Sequence, residues 1–270
     1  SVTLLAVPND FRFRHFSVED GLSSNSVRAI MQDKYGFLWI GTEEGLNRYD
    51  GIMIKSYSIC PQAAGKYISS LYGTKKNIWI GTDEGIYIYA YATETFTYFD
   101  LTTPNNVRIT SIVNHILQDK DGNLWFSTNG QGLFRYNLSK NYLEQYEFTS
   151  AFGIVASTMA DSDNQIWALT NQGESGVYKL NKAENKFEPF GLLYNAGNHH
   201  SQALAMLEDS EQTLWLGTWE CGLQKIDKYT RQTTTYLHPT DGKGVTHIHS
   251  LMEYAPHQLL IGSDDGLLLF

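Results

Sequence analysis

Hydrophobic positions along this chain of 270 residues fall into two kinds of short segment. One kind is apolar on consecutive residues, as in Leu38-Trp39-Ile40 and Leu124-Trp125-Phe126. The other alternates, or mixes aromatic with β-branched residues, as in Leu46-Asn47-Arg48-Tyr49 and Ile86-Tyr87-Ile88-Tyr89. Apolar runs of this length predict strands buried on both faces, and the second kind carries ordinary strand chemistry. Helical periodicity is missing, and Gly, Thr, Tyr and Trp stand where helix formers would be needed.

The first kind of segment recurs. Trp39, Trp79, Trp125, Trp167 and Trp215 follow one another at intervals of about 40 to 48 residues, and Leu260 takes the sixth place. Each copy is preceded by an apolar run that ends in a polar turn, often at Asp, as in Ile30-Met31-Gln32-Asp33 and Ile116-Leu117-Gln118-Asp119. Each is followed by a glycine that opens another strand: Gly45, Gly85, Gly132, Gly176, Gly222 or Gly266. A fourth segment such as Thr95-Phe96-Thr97-Tyr98 or Thr233-Thr234-Thr235-Tyr236 closes the unit. Four short antiparallel strands per unit, stacked face to face, predict an all-β fold, a β-propeller of four-stranded blades.

The units span roughly residues 26–59, 67–100, 111–148, 153–190, 203–237 and 248–270, in one propeller domain covering 1–270. The sixth stops after its third strand, while residues 11–17 read as a strand without a unit. If that strand completes the last blade, six blades close and no edge is left unpaired. The alternative is part of a seven-bladed ring.

Composition narrows the function. At 42% hydrophobic and 18% charged, with 6 Pro, the chain is neither disordered nor fibrous. A net charge of −9 opposes a phosphate backbone, so nucleic acid is a poor partner for this region. No run approaches the roughly 20 apolar residues of a membrane helix. Cys60 and Cys221 make no disulfide framework and no Cys-x-x-Cys pair, so packing must supply the stability.

The pattern Asp-x-x-Gly-x-Leu-Trp-Ile-Gly-Thr-x-x-Gly-Leu, clearest from Asp33 to Leu46 and from Asp119 to Leu133, resembles the two-component regulator propeller repeat. The opening Phe16-Ser17-Val18-Glu19-Asp20-Gly21-Leu22-Ser23, with Ser26-Val27, is similar to the start of the sensor region of hybrid two-component systems in Gram-negative gut commensals. The likeness is weakest from Phe152 to Lys179, where Leu169 replaces the usual glycine and blade four is expected to deviate. The resemblance implies a periplasmic sensor of two seven-bladed propellers and a small β-sandwich, followed by a membrane helix, a histidine kinase, a receiver and a DNA-binding domain. It further implies an oligosaccharide ligand, contact with a second propeller or the sandwich domain, and a homodimer in the full-length protein.

A ligand is expected on the face formed by the loops between second and third strands and by the links between blades. Those loops are short in units one, two and six (Glu43-Glu44, Asp83-Glu84, Asp264-Asp265) and longer in units three to five, reaching Asn171 to Ser175 and Trp219-Glu220-Cys221. A hairpin closes without extra residues, so insertions confined to one sector read as functional. Trp219, the tryptophan outside the repeat, could stack on a sugar while Glu220 accepts hydroxyl hydrogen bonds, or could plug the gap between blades. Gln172 and Glu174, with Asn198, His199 and His200 on the polar link into unit five, complete the expected binding set. The histidines at 199, 200, 247 and 249 raise a metal site only to have it set aside, since consecutive histidines on an extended chain diverge. No cofactor is expected.

The recurring carboxylates look like turn chemistry and not like a glycosidase pair, and no nucleophile with a base partner is visible. The leading reading is therefore a non-enzymatic periplasmic sensor, with a propeller hydrolase or lyase and a protein-interaction scaffold as alternatives.

Overall fold

The computed structural model describes residues 13–59, 66–148, 153–170, 176–191, 202–237, 245 and 247–270. Its strands form six antiparallel sheets, in each of which consecutive strands are neighbours. The fold is a β-propeller with six blades, and the described residues divide into two compact units, within 13–147 and 148–270, each holding three blades.

In the first unit the Trp-centred strands are Leu38–Thr42, Asn77–Thr82 and Leu124–Thr128; in the second, Ile166–Thr170 and Leu214–Thr218, with Gln258–Ser263 as the sixth equivalent. Each is the second strand of its sheet. Leu124–Thr128, Ile166–Thr170 and Leu214–Thr218 are buried at every residue, as consecutive apolar positions predict. Blades one to five have four strands, and the sixth has three among the described residues, ending with Gly266–Leu269. Of the expected strand at 11–17, residues 13–17 form irregular backbone leading to a 3-10 turn at Val18–Asp20, and 11 and 12 lie outside the described residues. Arg14 and Phe16 pack on Tyr49 of blade one, with Arg14 donating to the Tyr49 hydroxyl at 2.8 Å.

Each core lies between neighbouring blades. Trp39 and Leu46 pack on Ile68, Ile78 and Ile80 of blade two; Trp79 and Ile86 pack on Val113, Leu124 and Phe126 of blade three. In the second unit Trp167 meets Ala203, Leu214 and Leu216, while Trp215 meets Ile248, Leu259 and Ile261. Burying an indole this way is worth several kcal/mol, since truncating such a side chain costs roughly 3 to 5.

Glycine sets the blade spacing. A Cβ on Gly41 would stand 2.5 Å from Ile68 Cγ2, one on Gly81 2.9 Å from the Val113 backbone oxygen, and one on Gly217 2.6 Å from Ile248 Cγ2. Blade four departs from this rule in sequence but not in form. Leu169 occupies the glycine position, and the facing residue of blade five is Ala203 where the other interfaces of this kind carry Ile68, Val113 or Ile248. A large residue against a small one fills the volume that a small one against a large one fills elsewhere, so the sheet keeps its four strands.

Candidate functional site

Loops between second and third strands leave the ends of the sheets where the links between blades also run. In blade five the loop is Trp219-Glu220-Cys221, and its base is fixed by Thr218. The Thr218 hydroxyl donates to the Gly222 oxygen at 2.8 Å and accepts from the Cys221 amide at 2.9 Å. Gly222 has φ +66°, and a Cβ there would meet the Leu237 and Tyr236 backbone oxygens at 2.5 Å, so another residue type would force the hairpin open. The Cys221 side chain is buried; Cys60 lies outside the described residues.

The loop is held from both sides. The Trp219 amide donates to the Gln202 oxygen at 2.9 Å, and the Trp219 oxygen accepts from the His247 amide at 3.0 Å. Trp219 is thereby tied to the lead-in strands of blades five and six. Its indole stacks on the His247 ring, with centroids 3.8 Å apart and planes 30° apart, and meets His249 edge-on at 6.4 Å. It nonetheless remains 40% exposed, an unusual state for the largest apolar side chain. His247 adopts φ +48°, a left-handed conformation uncommon outside glycine and asparagine.

Both imidazoles converge on Asp264, in the corresponding turn of blade six. His247 Nδ1 pairs with one carboxylate oxygen, and His249 Nε2 lies 2.7 Å from the other. These two bonds, His247 first, hold the Asp264 carboxyl below the usual carboxylate range. The strand register explains the meeting: with Ile248 opposite Ser263, the antiparallel pairing puts His247 opposite Asp264, and His249 is the extra residue of the bulge between Ile248 and Ser250. The same geometry recurs in blade one, where Val27 lies opposite Thr42 and Arg28 pairs with Glu43. In blade two Glu84 pairs with Lys66. One carboxylate of each short loop, Glu43, Glu84 or Asp264, thus pairs with a side chain on or just before the first strand of its own blade, a role the turn reading did not include.

Of the expected binding set, Trp219 and Glu220 are described, both exposed. Gln172, Glu174, Asn198, His199 and His200 lie outside the described residues. The blade-three insertion has a structural use. The Gln131 side-chain oxygen accepts from the Thr110 and Ser111 amides at 2.9 Å each, and its Nε2 donates to the Arg108 oxygen at 2.9 Å, pinning the link from blade two. Trp219 bonds the lead-ins of blades five and six through its own backbone. Sequence reasoning named the histidines and Asp264 separately but did not assemble them. The pairing of Arg28 with Glu43 at the same repeat positions is the signal that joins His249 to Asp264. Among the described residues, no group of three or more His, Cys, Asp or Glu side chains is arranged to hold a metal ion.

The arrangement offers an aromatic face braced from behind, an exposed imidazole and a carboxylate with both oxygens engaged. Such a surface suits stacking and hydrogen bonding to a polar ring. Among the described residues it brings no nucleophile beside a free base.

Comparison with known proteins gives the repeats a family. The two component regulator propeller model matches residues 21–44 and 107–130, which contain the Trp-centred strands of blades one and three. Over 62 residues, 23% of this chain and 4% of the relative, the sequence is 45% identical to Histidine kinase P4 of Formosa agariphila. The extracellular domain of a hybrid two-component system from B. thetaiotaomicron superposes with a TM-score of 0.78 at 23% identity, over 95% of this chain and 35% of that one. A streptogramin B lyase superposes with a TM-score of 0.65 at 18% identity, over 92% of this chain and 83% of the lyase. The chain thus spans a small fraction of the kinase and about a third of the extracellular domain, and at these identities the structural likeness shows the fold alone.

Proposed function

Because this chain carries two-component regulator propeller repeats, we propose that it is a ligand-sensing region of a two-component sensor and performs no chemistry itself. The kinship with a histidine kinase and the fold shared with an extracellular sensor domain support that reading and point to a periplasmic location in an inner-membrane protein. The ligand is an oligosaccharide, received on the loop face of blades five and six.

One observation carries the site. Trp219 is fixed by backbone bonds on both sides and stacked on His247, yet two fifths of its surface stays open. An indole braced in this way loses little entropy on stacking against a sugar ring. Its loop also bonds the first strand of the following blade, so ligand contact is transmitted to the packing of neighbouring blades. Binding shifts a sensor only through unequal affinity for two arrangements. A second propeller or a sandwich domain of the same chain, or a second copy in a homodimer, supplies the other arrangement.

The test is calorimetry with a panel of neutral glycan oligosaccharides on the protein and on Trp219→Ala. Binding by the parent chain and a loss of about tenfold or more in the variant is expected, in line with the removal of one stacking partner. Equal binding by both removes Trp219 from the site. Release of new reducing ends or unsaturated products from any polysaccharide would replace the sensor by an enzyme, the reading that the lyase fold keeps in play.

A further inference from the structure

A second surface lies at the opposite ends of the strands, where the turn between third and fourth strands of blade five meets blade four. Two clefts, of about 530 and 560 Å³, share Lys228 and Tyr229 and so form one groove. Both volumes lie in the range of small-ligand sites.

The groove is built by a rigid turn. Asp227 Oδ1 accepts from the Tyr229 and Thr230 amides at 2.8 Å each, and the Arg231 amide donates to the Asp227 oxygen at 2.9 Å. This holds the Tyr229 ring up between the clefts, 92% exposed. Arg231 folds back over the Phe190 ring at 5.3 Å, and Lys179 lies 5.3 Å above Trp167. Both cations are thereby placed on aromatic faces at the cleft wall. Lys182 stands beside them, exposed.

Charge makes the groove unusual. Lys228 is already satisfied by Glu208 and stands 3.7 Å from Asp161. Lys179, Lys182 and Arg231 have no carboxylate within ion-pair distance among the described residues, although the chain carries 29 acidic residues against 20 basic ones. Of the groove's acidic side chains, Glu188, opposite Lys179 in register, is bonded by Asn181 Nδ2 at 3.0 Å, Asp227 accepts from the Tyr229 and Thr230 amides, and Glu211 stands 3.4 Å from His257. Three unneutralised cations on one wall of a net-anionic protein concentrate positive potential in a concave site.

The geometry points to a binding site for an acidic oligosaccharide, one bearing carboxylate or sulfate groups, laid across Tyr229. Lys179, Lys182 and Arg231 meet the anionic groups, the tyrosine ring takes a sugar face, and Gln165, Asn181, Gln232 and Thr234 offer neutral partners to hydroxyls. The site is separate from the Trp219 face and does not rest on it.

The experiment measures binding of a galacturonate hexamer, a sulfated dextran oligomer, neutral maltohexaose and polyglutamate to the full chain. It is repeated on the double variant Lys182→Gln, Arg231→Gln and on Tyr229→Ala, with far-UV circular dichroism and thermal unfolding to confirm the fold. Saturable binding of the carboxylated or the sulfated oligomer is expected, weakened at least about tenfold in the double variant and by raised salt, and unchanged by Trp219→Ala. Which oligomer binds tighter identifies the anionic group. Equal binding of maltohexaose, equal or tighter binding of polyglutamate, or a double variant that keeps full affinity overturns the proposal. Retained affinity in Tyr229→Ala overturns the placement across the ring.

Discussion

At the scale of single residues, each turn aspartate does two jobs. Asp119 Oδ1 accepts from the Asn123 amide at 2.8 Å, closing the turn, and Oδ2 accepts from the Trp125 indole at 2.8 Å. Asp33, Asp161 and Asp209 bond Trp39, Trp167 and Trp215 in the same way at 2.7 to 3.0 Å. Blade two has Thr74 at this place, one residue nearer its tryptophan, and the buried Trp79 Nε1 has no partner among the described residues. Asp119→Ala strands a buried indole and a backbone amide, and should cost about 3 kcal/mol in urea unfolding. Thr74→Asp should gain about 1 kcal/mol by supplying the missing acceptor. A neutral or harmful Thr74→Asp would show that the shorter turn holds the carboxylate away from Trp79. The turn role of these aspartates was legible in the sequence, because Asp before Gly or a polar residue favours an Asx turn. The indole bond was not, since it depends on the pleat returning the tryptophan above the turn that precedes it.

At the scale of strands and blades, the period alone located the sheets, because each unit repeats both its doubly buried strand and its turn chemistry. What the repeat could not convey was how a break in it is absorbed. Leu169 looked like a distortion of blade four, yet the compensating residue sits on the next blade, as Ala203, a neighbour in space and not in the repeat. Contacts of this kind couple energetically. Ala203→Ile alone should destabilise the chain by about 1 to 3 kcal/mol through overpacking against Leu169. Leu169→Gly alone should cost more, opening a cavity beside Trp167. Combined, they recreate the pairing found at Gly217 and Ile248, and the double variant should recover much of the sum. Additive losses in a double-mutant cycle would mean that the two residues do not share one packing volume. Polar clamps reinforce the same interfaces: Ser162 is held by Glu208 of blade five, and the Ser210 amide and hydroxyl by Glu253 of blade six at 2.8 and 2.6 Å.

At the scale of the whole molecule, acidity and one histidine combine to set the response to pH. His115, on the first strand of blade three, keeps part of its surface open, but burial of the rest pushes its imidazole down to about 4. Unfolded chain takes up this proton near pH 6.5 and folded chain does not, so the contribution to stability is complete above about 6.5 and declines as pH falls towards 4. The shift sets a loss of at most about 2 kcal/mol at pH 5, less where solvent reaches the ring. The carboxyls held low, those of Glu43, Asp50, Asp227 and Asp264, work in the opposite range: their stabilisation is present above their ordinary values and fades only as pH drops below about 4. Between pH 6.5 and 4 the histidine therefore dominates. Over the same interval the net charge of −9 dwindles, reaching zero at the isoelectric point near 5.3, and with it the repulsion that keeps molecules apart. Unfolding and association thus reinforce each other just below pH 6. Urea midpoints should fall between pH 7.5 and pH 5 in the parent chain and stay nearly level in His115→Gln, while light scattering on mild heating should rise at a higher pH in the parent. Parallel midpoint curves for the two proteins would assign the acid response to charge alone and leave His115 without a part in it.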